Sequence, residues 1–327
     1  MTDLSKLLDL IERREQRPIL VLGDLILDRY LWGSVNRISP EAPVPVLELS
    51  GETFSLGGAA NVAHNLATLG ARVELVGLVG QDPERDRFVE LCEQAGIGTR
   101  GLVVDPVRPT TTKTRVIGHN QQIVRVDREE KTPLSTALQA GVERHLQEIH
   151  ETLGAIVISD YAKGMVTESV LDAVRQLGAR KSLPVVVDPK NPQFSVYRNF
   201  TVMTPNSGEA AVGAGFKIKD ELSLVEAGYK LRTSLNMEAV LITRGPQGMS
   251  LFEKGKEVLH LPTVARNVYD VTGAGDTVTA VMALGLSAGL TFSQAAHLAN
   301  HAAGFVIGKF GTATVTLSDL KALDGQA

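Results

Sequence analysis

Short apolar runs rich in β-branched residues recur along this chain, separated by longer stretches with the spacing of amphipathic helices. Pro18-Ile-Leu-Val-Leu-Gly, Arg72-Val-Glu-Leu-Val-Gly-Leu-Val, Ala155-Ile-Val-Ile-Ser, Pro184-Val-Val-Val-Asp, Thr201-Val-Met-Thr and Ala239-Val-Leu-Ile-Thr predict strands. Their apolar character is continuous rather than alternating, so both faces of the sheet should be covered. That pattern predicts an α/β fold with a central, mostly parallel sheet and helices on both faces. Several runs end in a polar residue: Asp24, Asp160, Asp188 and Asn206. Ligands collect at the carboxyl ends of strands in open α/β sheets, so a site is expected there.

Two half-polar segments, about residues 33–52 and 108–128, break the pattern and predict a small β lid, with a turn at His119-Asn120. A lid face bearing Val44, Val46, Leu47 and Ile123 would be an exposed edge, which predicts cover by a second subunit and a homodimer built through the lid. No repeat or linker divides the rest, so residues 1–327 read as a single domain. The N-terminal stretch is amphipathic and carries acids, which predicts a leading helix rather than a signal peptide.

From Thr277 to Gly308 there is no Asp, Glu, Lys or Arg, long enough to suggest a membrane span. Gly289 and a capping box from Thr291 to Gln294 instead predict two buried helices. A net charge of -4 gives no basic footprint for nucleic acid, and no Lys/Arg cluster suggests a membrane surface, so small-molecule partners are expected. The single cysteine, Cys92, sits among helix formers and reads as a spectator thiol, which suits a reducing cytoplasm.

The richest candidate chemistry lies in Asp270-Val-Thr-Gly-Ala-Gly-Asp276, where a Gly-rich turn runs into a helix of small residues. Backbone N–H groups at Gly273, Ala274 and Gly275 could receive a phosphate, with Asp276 accepting the proton of an attacking hydroxyl. The same residues could equally pack a helix on the sheet, with Asp276 serving the helix dipole. A second glycine pair, Gly57-Gly58, opens a helix carrying Asn61, and Asp24 and Asp28 follow the first strand. Those carboxylates and amides could bind sugar hydroxyls, and the aspartates could also cap a helix. Asn206-x-x-Glu209 could organise Mg²⁺ through water or form an N-terminal cap. Thr243-x-Gly245-x-x-Gly248 could lie along nucleotide phosphates or be a hairpin turn. His64, His297 and His301 lie on apolar helices without metal-ligand spacing and read as packed histidines.

Taken in order, these motifs resemble the ribokinase-like (PfkB) carbohydrate kinases over nearly the whole chain. Asp24-x-x-x-Asp28-Arg-Tyr, Asn36-Arg-Ile-Ser-Pro-Glu-Ala-Pro-Val-Pro-Val, Ser159-Asp-Tyr-Ala-Lys-Gly and Val187-Asp-Pro-Lys resemble the members acting on D-glycero-β-D-manno-heptose 7-phosphate. The resemblance implies ATP-dependent phosphorylation of the anomeric hydroxyl to the 1,7-bisphosphate, on the way to ADP-heptose for lipopolysaccharide. It implies Asp276 as base, Gly273, Ala274 and Gly275 as anion hole, and Asn206, Glu209, Thr243, Gly245, Gly248 and Asn300 around ATP, with Mg²⁺ bound through water at Glu209. Asp28, Gly57, Gly58 and Asn61 would hold the sugar. Lys113, Lys163 and Lys190 are the preferred cations for its 7-phosphate, and Asp270 and Thr272, with the Gly308-to-Thr312 loop, would bind a monovalent cation such as K⁺. Many such proteins carry a cytidylyltransferase-like domain with a His-x-Gly-His motif, which these residues lack, so the resemblance covers the kinase half. A dinucleotide dehydrogenase fits badly, because no Gly-x-Gly-x-x-Gly follows the first strand. A non-catalytic sugar binder of the same fold is the other alternative.

Overall fold

The computed structural model describes residues 4–15, 17–265, 268–309 and 311–324. Its large sheet contains β1 (Ile19–Gly23), β4 (Val73–Gly80), β5 (Gly98–Asp105), β8 (Ala155–Ser159), β9 (Val185–Asp188), β10 (Val202–Met203), β11 (Ala239–Thr243), β12 (Met249–Glu253) and β13 (Leu259–Leu261). The order is β13-β12-β11-β10-β9-β8-β1-β4-β5, parallel from β5 through β11, with β12 and β13 added antiparallel at one edge. All six predicted strands are present.

Successive residues of β1 point to opposite faces, and each face has its own core. Ile19 and Val21 pack under α1 (Leu4–Arg13), α2 (Ala59–Thr68), α3 (Pro83–Gln94), α8 (Ala274–Ser287), α9 (Phe292–Val306) and α10 (Leu317–Asp324). Leu20 and Leu22 pack under α4 (Thr136–Ile149), α5 (Glu168–Lys181), α6 (Ser207–Ala214) and α7 (Glu221–Ser234). Covering both faces is why the strand sequences are apolar throughout. The uncharged stretch after Asp276 forms α8 and α9, joined at Gly289 (φ 80°), with the expected Thr291–Gln294 capping box. α8 is buried on every side from Asp276 to Gly285, which is why it lacks a polar face. Among the described residues, no helix is long and apolar enough to cross a membrane. The leading helix is present as α1, and Cys92 is buried, its thiol pushed up to about 12 by burial.

The lid is a separate sheet of β2 (Leu25–Ile38), β3 (Pro45–Gly58), β6 (Thr112–Gly118) and β7 (Gln121–Arg128), in the order β3-β2-β6-β7. It is larger than residues 33–52 and 108–128: β2 begins directly after Asp24, and β3 runs without a break into α2. Leu25, Ile26 and Leu27 are buried at the root of the lid, so their apolar run marks a strand entering it. The β6–β7 turn is at His119 and Asn120 as expected, both with positive φ (50° and 64°).

Phe252 on β12 illustrates how tightly the helical layer is set. It is fully buried against α7, where a Cβ on Gly228 would fall 2.3 Å from its ring, and Tyr229 meets it edge-on at 5.4 Å. Phe252→Ala should therefore cost roughly 3–5 kcal/mol and lower the Tm by several degrees. Thermal unfolding followed by circular dichroism checks this, and an unchanged Tm would mean the layer collapses to fill the space.

Candidate active site

The parallel strands deliver their terminal polar residues to one end of the sheet, as the sequence pattern requires. Asp24 follows β1, Asp160 follows β8, Asp188 ends β9, and Thr204 and Asn206 follow β10. Asp276 comes to the same place from the first turn of α8. Gly273 precedes that turn with φ 80°, a conformation L side chains rarely adopt, and a Cβ there would approach the Asn61 amide to 2.9 Å.

Asp276 is 5% exposed, and both its carboxylate oxygens are held. The Asn61 side-chain amide donates to Oδ2 at 2.6 Å, and the Tyr161 hydroxyl donates to Oδ1 at 2.8 Å. Burial pushes the Asp276 carboxyl up to about 6, against the pull of these two hydrogen bonds, with Asp28 adding to the rise. It is thus mostly ionised at neutral pH yet more basic than an ordinary aspartate, as suits a general base. The Asn61 Oδ1 is buried without a partner, which leaves an unsatisfied acceptor beside the carboxylate.

Tyr161 had no assigned role in the sequence, although it lies within the Ser159-to-Gly164 motif. Its place is fixed by Asp24, a buried carboxylate that is neither a helix cap nor turned to the cleft. Asp24 accepts the backbone N–H groups of Tyr161 (2.8 Å), Lys163 (3.0 Å) and Met165 (3.0 Å). Asp160 accepts the N–H of Ala162 at 2.7 Å and the hydroxyl of the fully buried Tyr197.

Two cavities meet at this end of the sheet. A polar one of about 200 Å³ is lined by Asp160, Tyr161, Asp188, Lys190, Glu209 and Asp276. The second, about 630 Å³, has apolar walls from Met249, Val268, Val271, Val278 and Ile307, and includes Gly245, Gly248, Ala274 and Asn300. Asn206, Thr243 and Gly275 line both. Such a polar chamber opening into an apolar slot can take a polyphosphate joined to a flat heterocycle. Asn206 and Glu209 do form a capping box on α6, and the Thr243-to-Gly248 turn does join two hairpin strands, so these structural roles coexist with cavity-lining positions. Asn300 donates to the Pro262 carbonyl at 2.8 Å and so fixes one wall. The Ala274 N–H is engaged by the Val271 carbonyl (3.3 Å), leaving Gly275 and Asp276 to supply the open first-turn amides.

Asp160, Asp188, Glu209 and Asp276 face the polar cavity together, with Lys190 bonded to Glu209 at 2.9 Å. Burial pushes Asp188 well above the usual carboxylate range, and the neighbouring Asp276 and Glu209 add to this. Among the described residues no cluster is tight enough to grip a bare metal ion. A surplus of carboxyl groups without a direct cage, among them Asp188 whose ionisation a nearby cation would favour, fits a hydrated divalent cation shared with phosphate oxygens.

Asp28 lies on β2 rather than on a loop, and its carboxylate is bonded to Arg115 at 2.5 Å. Gly57 is required beside it, since a Cβ there would lie 2.4 Å from the Asp28 Oδ2. Gly58 (φ 58°) makes the passage from β3 to α2. The three candidate phosphate-binding lysines do not converge. Lys113 and Lys163 meet at Glu129, whereas Lys190 follows β9 and lies at the polar cavity. Asp270 accepts the Thr272 N–H (2.9 Å) and hydroxyl (2.7 Å) and the Gly311 N–H (3.0 Å), bringing together the loops expected to hold a monovalent cation. Phe310 of that loop lies outside the described residues. His64 and His297 are half-buried, and burial lowers both pKa values.

With this geometry in place, comparison with known proteins is decisive. The model of the pfkB family carbohydrate kinases matches residues 16–319. The chain belongs to that family. It is 47% identical over 311 residues to the bifunctional protein HldE of Citrifermentans bemidjiense, covering 95% of this chain and 64% of that protein. It is 46% identical over 301 residues to HldE of Geobacter metallireducens, covering 92% and 61%. The chain therefore spans less than two thirds of the length of these relatives. Arabidopsis thaliana ribokinase, in a structure with ribose and ATP, superposes with a TM-score of 0.76 at 20% identity, covering 95% of this chain and 99% of that one. Escherichia coli phosphofructokinase-2 superposes at 0.78 and 17% identity, with the same coverage. The fold is ribokinase-like, and the chain is an ATP-dependent carbohydrate kinase.

The position of Asp276 sets a pH dependence. Activity should fall on the acid side with an apparent pKa near 6, as protonation removes the acceptor. Because the Tyr161 bond pulls that pKa down, Tyr161→Phe should move the acid limb to higher pH. The pH profile of kcat/KM checks both. A limb that does not move would assign it to another carboxyl, with Asp160, also pushed up to about 6 by burial, next in line.

Proposed function

We propose that this chain transfers the γ-phosphoryl group of ATP to the anomeric hydroxyl of D-glycero-β-D-manno-heptose 7-phosphate, giving the 1,7-bisphosphate, a step toward ADP-heptose in the cytoplasm. The observation that carries the reading is the position of Asp276, which lines the polar cavity next to Gly275, where that cavity joins the apolar slot, with a lid face bearing Lys113 and Arg115 nearby. The similarity to HldE proteins over most of the chain narrows the sugar.

The chemistry follows from the side chains. The apolar slot takes adenine, and the Thr243-to-Gly248 turn and Asn206 lie along the phosphates. A sugar hydroxyl sits between Asp276 and the Asn61 Oδ1, with Asp28 holding a further hydroxyl. Asp276 accepts the proton as the hydroxyl attacks, and the α8 N-terminus receives the transferred group through the Gly275 amide. An anomeric hydroxyl is more acidic than a simple alcohol, so a carboxylate with a modestly raised pKa suffices. Mg²⁺, held through water by Asp188 and Glu209, would neutralise phosphate charge. A monovalent cation by Asp270 and Thr272 would fix the loop that shapes the anion hole.

The exposed lid residues Leu49, Val124 and Val126 support a homodimer through the lid. Val126→Glu should then give a monomer by light scattering at micromolar concentration, and a wild-type protein already monomeric would remove the dimer. For the reaction, ADP release should be seen with Mg-ATP and heptose 7-phosphate but not with fructose 6-phosphate, ribose or no sugar. Asp276→Asn should lose roughly 10²–10⁴-fold in kcat while still binding both substrates. Turnover on another sugar would keep the kinase and discard the heptose.

A further inference from the structure

A second charged cluster lies on the lid side of the site, away from the Lys190 carboxylates. The paired registers Asp28 with Lys113, Tyr30 with Arg115, and Lys113 with Asp127 put all these side chains on one face of the lid. Lys163, two residues beyond Tyr161, reaches the same place from the β8 loop. Between the lysines sits Glu129: its Oε2 is 2.5 Å from the Lys163 Nζ and 3.9 Å from the Lys113 Nζ, and its Oε1 is 3.0 Å from the Lys131 Nζ. Lys113, Lys163 and Glu129 are each less than a fifth exposed, so their charges are only weakly screened.

The two carboxylates in this cluster are not equivalent. Asp127 accepts from the Nε and one Nη of Arg125 (2.8 and 3.0 Å) on a paired strand, besides its bond to Lys113 at 3.0 Å. Glu129 comes one residue after the last residue of β7, on backbone outside the sheet ladder, so its side chain can turn away without disturbing strand pairing. Lys131, its other partner, is 65% exposed and can follow it into solvent. The lysines are anchored at their backbones: Lys113 is on β6, with its ammonium also on Asp127, and the Lys163 segment is held by Asp24 and by Arg108, which donates to the Lys163 carbonyl at 3.2 Å. A backbone-anchored lysine pair with one removable anion is an anion site closed by the protein's own side chain. A phosphate monoester brings nearly two charges and three acceptor oxygens where the carboxylate brings one and two.

We propose that Glu129 is a placeholder, whose carboxylate fills the Lys113–Lys163 anion site in the empty protein and leaves it when the distal phosphate of a sugar phosphate enters. This rests on the sugar phosphate reading above and adds how that site selects. An unphosphorylated sugar cannot displace Glu129, so the lid face stays occupied by the protein's own charge. The affinity for a phosphate ester is reduced by the fraction of molecules in which the site is closed.

The test uses inorganic phosphate as the probe and the fluorescence of Trp32, the single tryptophan, which stacks on Tyr30 (6.0 Å) beneath the Arg115 contact. Glu129→Gln should bind phosphate several-fold tighter than wild type, and Lys163→Met several-fold weaker. Glu129→Asp decides between displacement and simple charge, because it keeps the charge but is one methylene too short to fill the site. A placeholder predicts that it too binds tighter. Asp behaving like wild type while Gln binds tighter would reduce Glu129 to a background charge and overturn the proposal, as would weaker binding by Gln, which would make Glu129 a prop for the lysines. Absence of phosphate binding in wild type also overturns it. Circular dichroism and the ATP Kd, expected unchanged, confirm that each variant is folded. Turnover of a phosphorylated sugar against its dephosphorylated form separates the readings: equal turnover by wild type sinks the sugar phosphate assignment, whereas a clear preference for the ester with the wrong Glu129 variants sinks the placeholder alone.

Discussion

The site depends first on a buried carboxylate that lines neither cavity. Asp24 is 2% exposed and lies where β1 and β8 end side by side, with Gly23 opposite Ser159. A carboxylate in that position is costly unless its lone pairs are satisfied, and three backbone N–H groups of the following loop satisfy them. The loop is thereby forced over the strand ends, through Ala162 (φ 54°) and Gly164 (φ 92°). That path puts the Tyr161 hydroxyl on Asp276 and points the Lys163 chain toward the lid. One buried carboxylate thus fixes the Tyr161 hydroxyl that holds Asp276 and the backbone of Lys163, from a residue at the centre of the sheet.

The charges around the reacting position are divided by sign. On the side of β9 and α6, Asp160, Asp188 and Glu209 outnumber Lys190, an arrangement that favours a multivalent cation accompanying nucleotide phosphates. On the lid side, Lys113, Lys163 and Arg115 are matched by Asp28, Asp127 and Glu129, so that face takes an anion only if one of these carboxylates gives up its place. Asp276 lies between the two, its own charge disfavoured by burial and retained by the Asn61 and Tyr161 bonds. A phosphoryl group moving from one side to the other passes the place where a base is available and first-turn amides are open.

Much of this was legible because strand ends and glycine turns leave local signatures. The polar residues after β1, β8, β9 and β10 marked the end of the sheet where the cavities lie, and the Gly273-x-Gly275-Asp276 turn marked the buried carboxylate that faces the polar one. What was not legible depended on tertiary neighbours. Asp24 could be read as a cap or a sugar ligand, since nothing local shows that the loop after β8, more than a hundred residues later, supplies its donors. Tyr161 was visible only as part of a motif, because its hydroxyl acquires meaning when α8 arrives beside it. Lys190 was grouped with Lys113 and Lys163 by motif company, but although β8 and β9 are paired, the loop after β8 is drawn by Asp24 toward the lid, whereas Lys190 after β9 bonds Glu209 on α6. Glu129 carries no signature at all, being one acid in a polar stretch until the lid folds it between two lysines.

The lid shows why half-polar strands can be as informative as apolar ones. Because side chains alternate, Asp28, Tyr30, Lys113, Arg115 and Asp127 share the face turned to the site, while Leu31, Thr114, Val116, Val124 and Val126 share the other. The register shifts in β2 come after Trp32, beyond the residues that carry the site, so the bulges bend the outer lid without exchanging faces at Asp28 or Tyr30. A slip of one residue nearer the root would turn the charged face outward and the valines inward. The short pairing of Leu25, Ile26 and Leu27, buried where β2 leaves the main sheet, prevents that slip. The apolar root therefore sets both which charges line the inner face of the lid and which valines lie on its outer face, and neither surface can be altered at the root without altering the other.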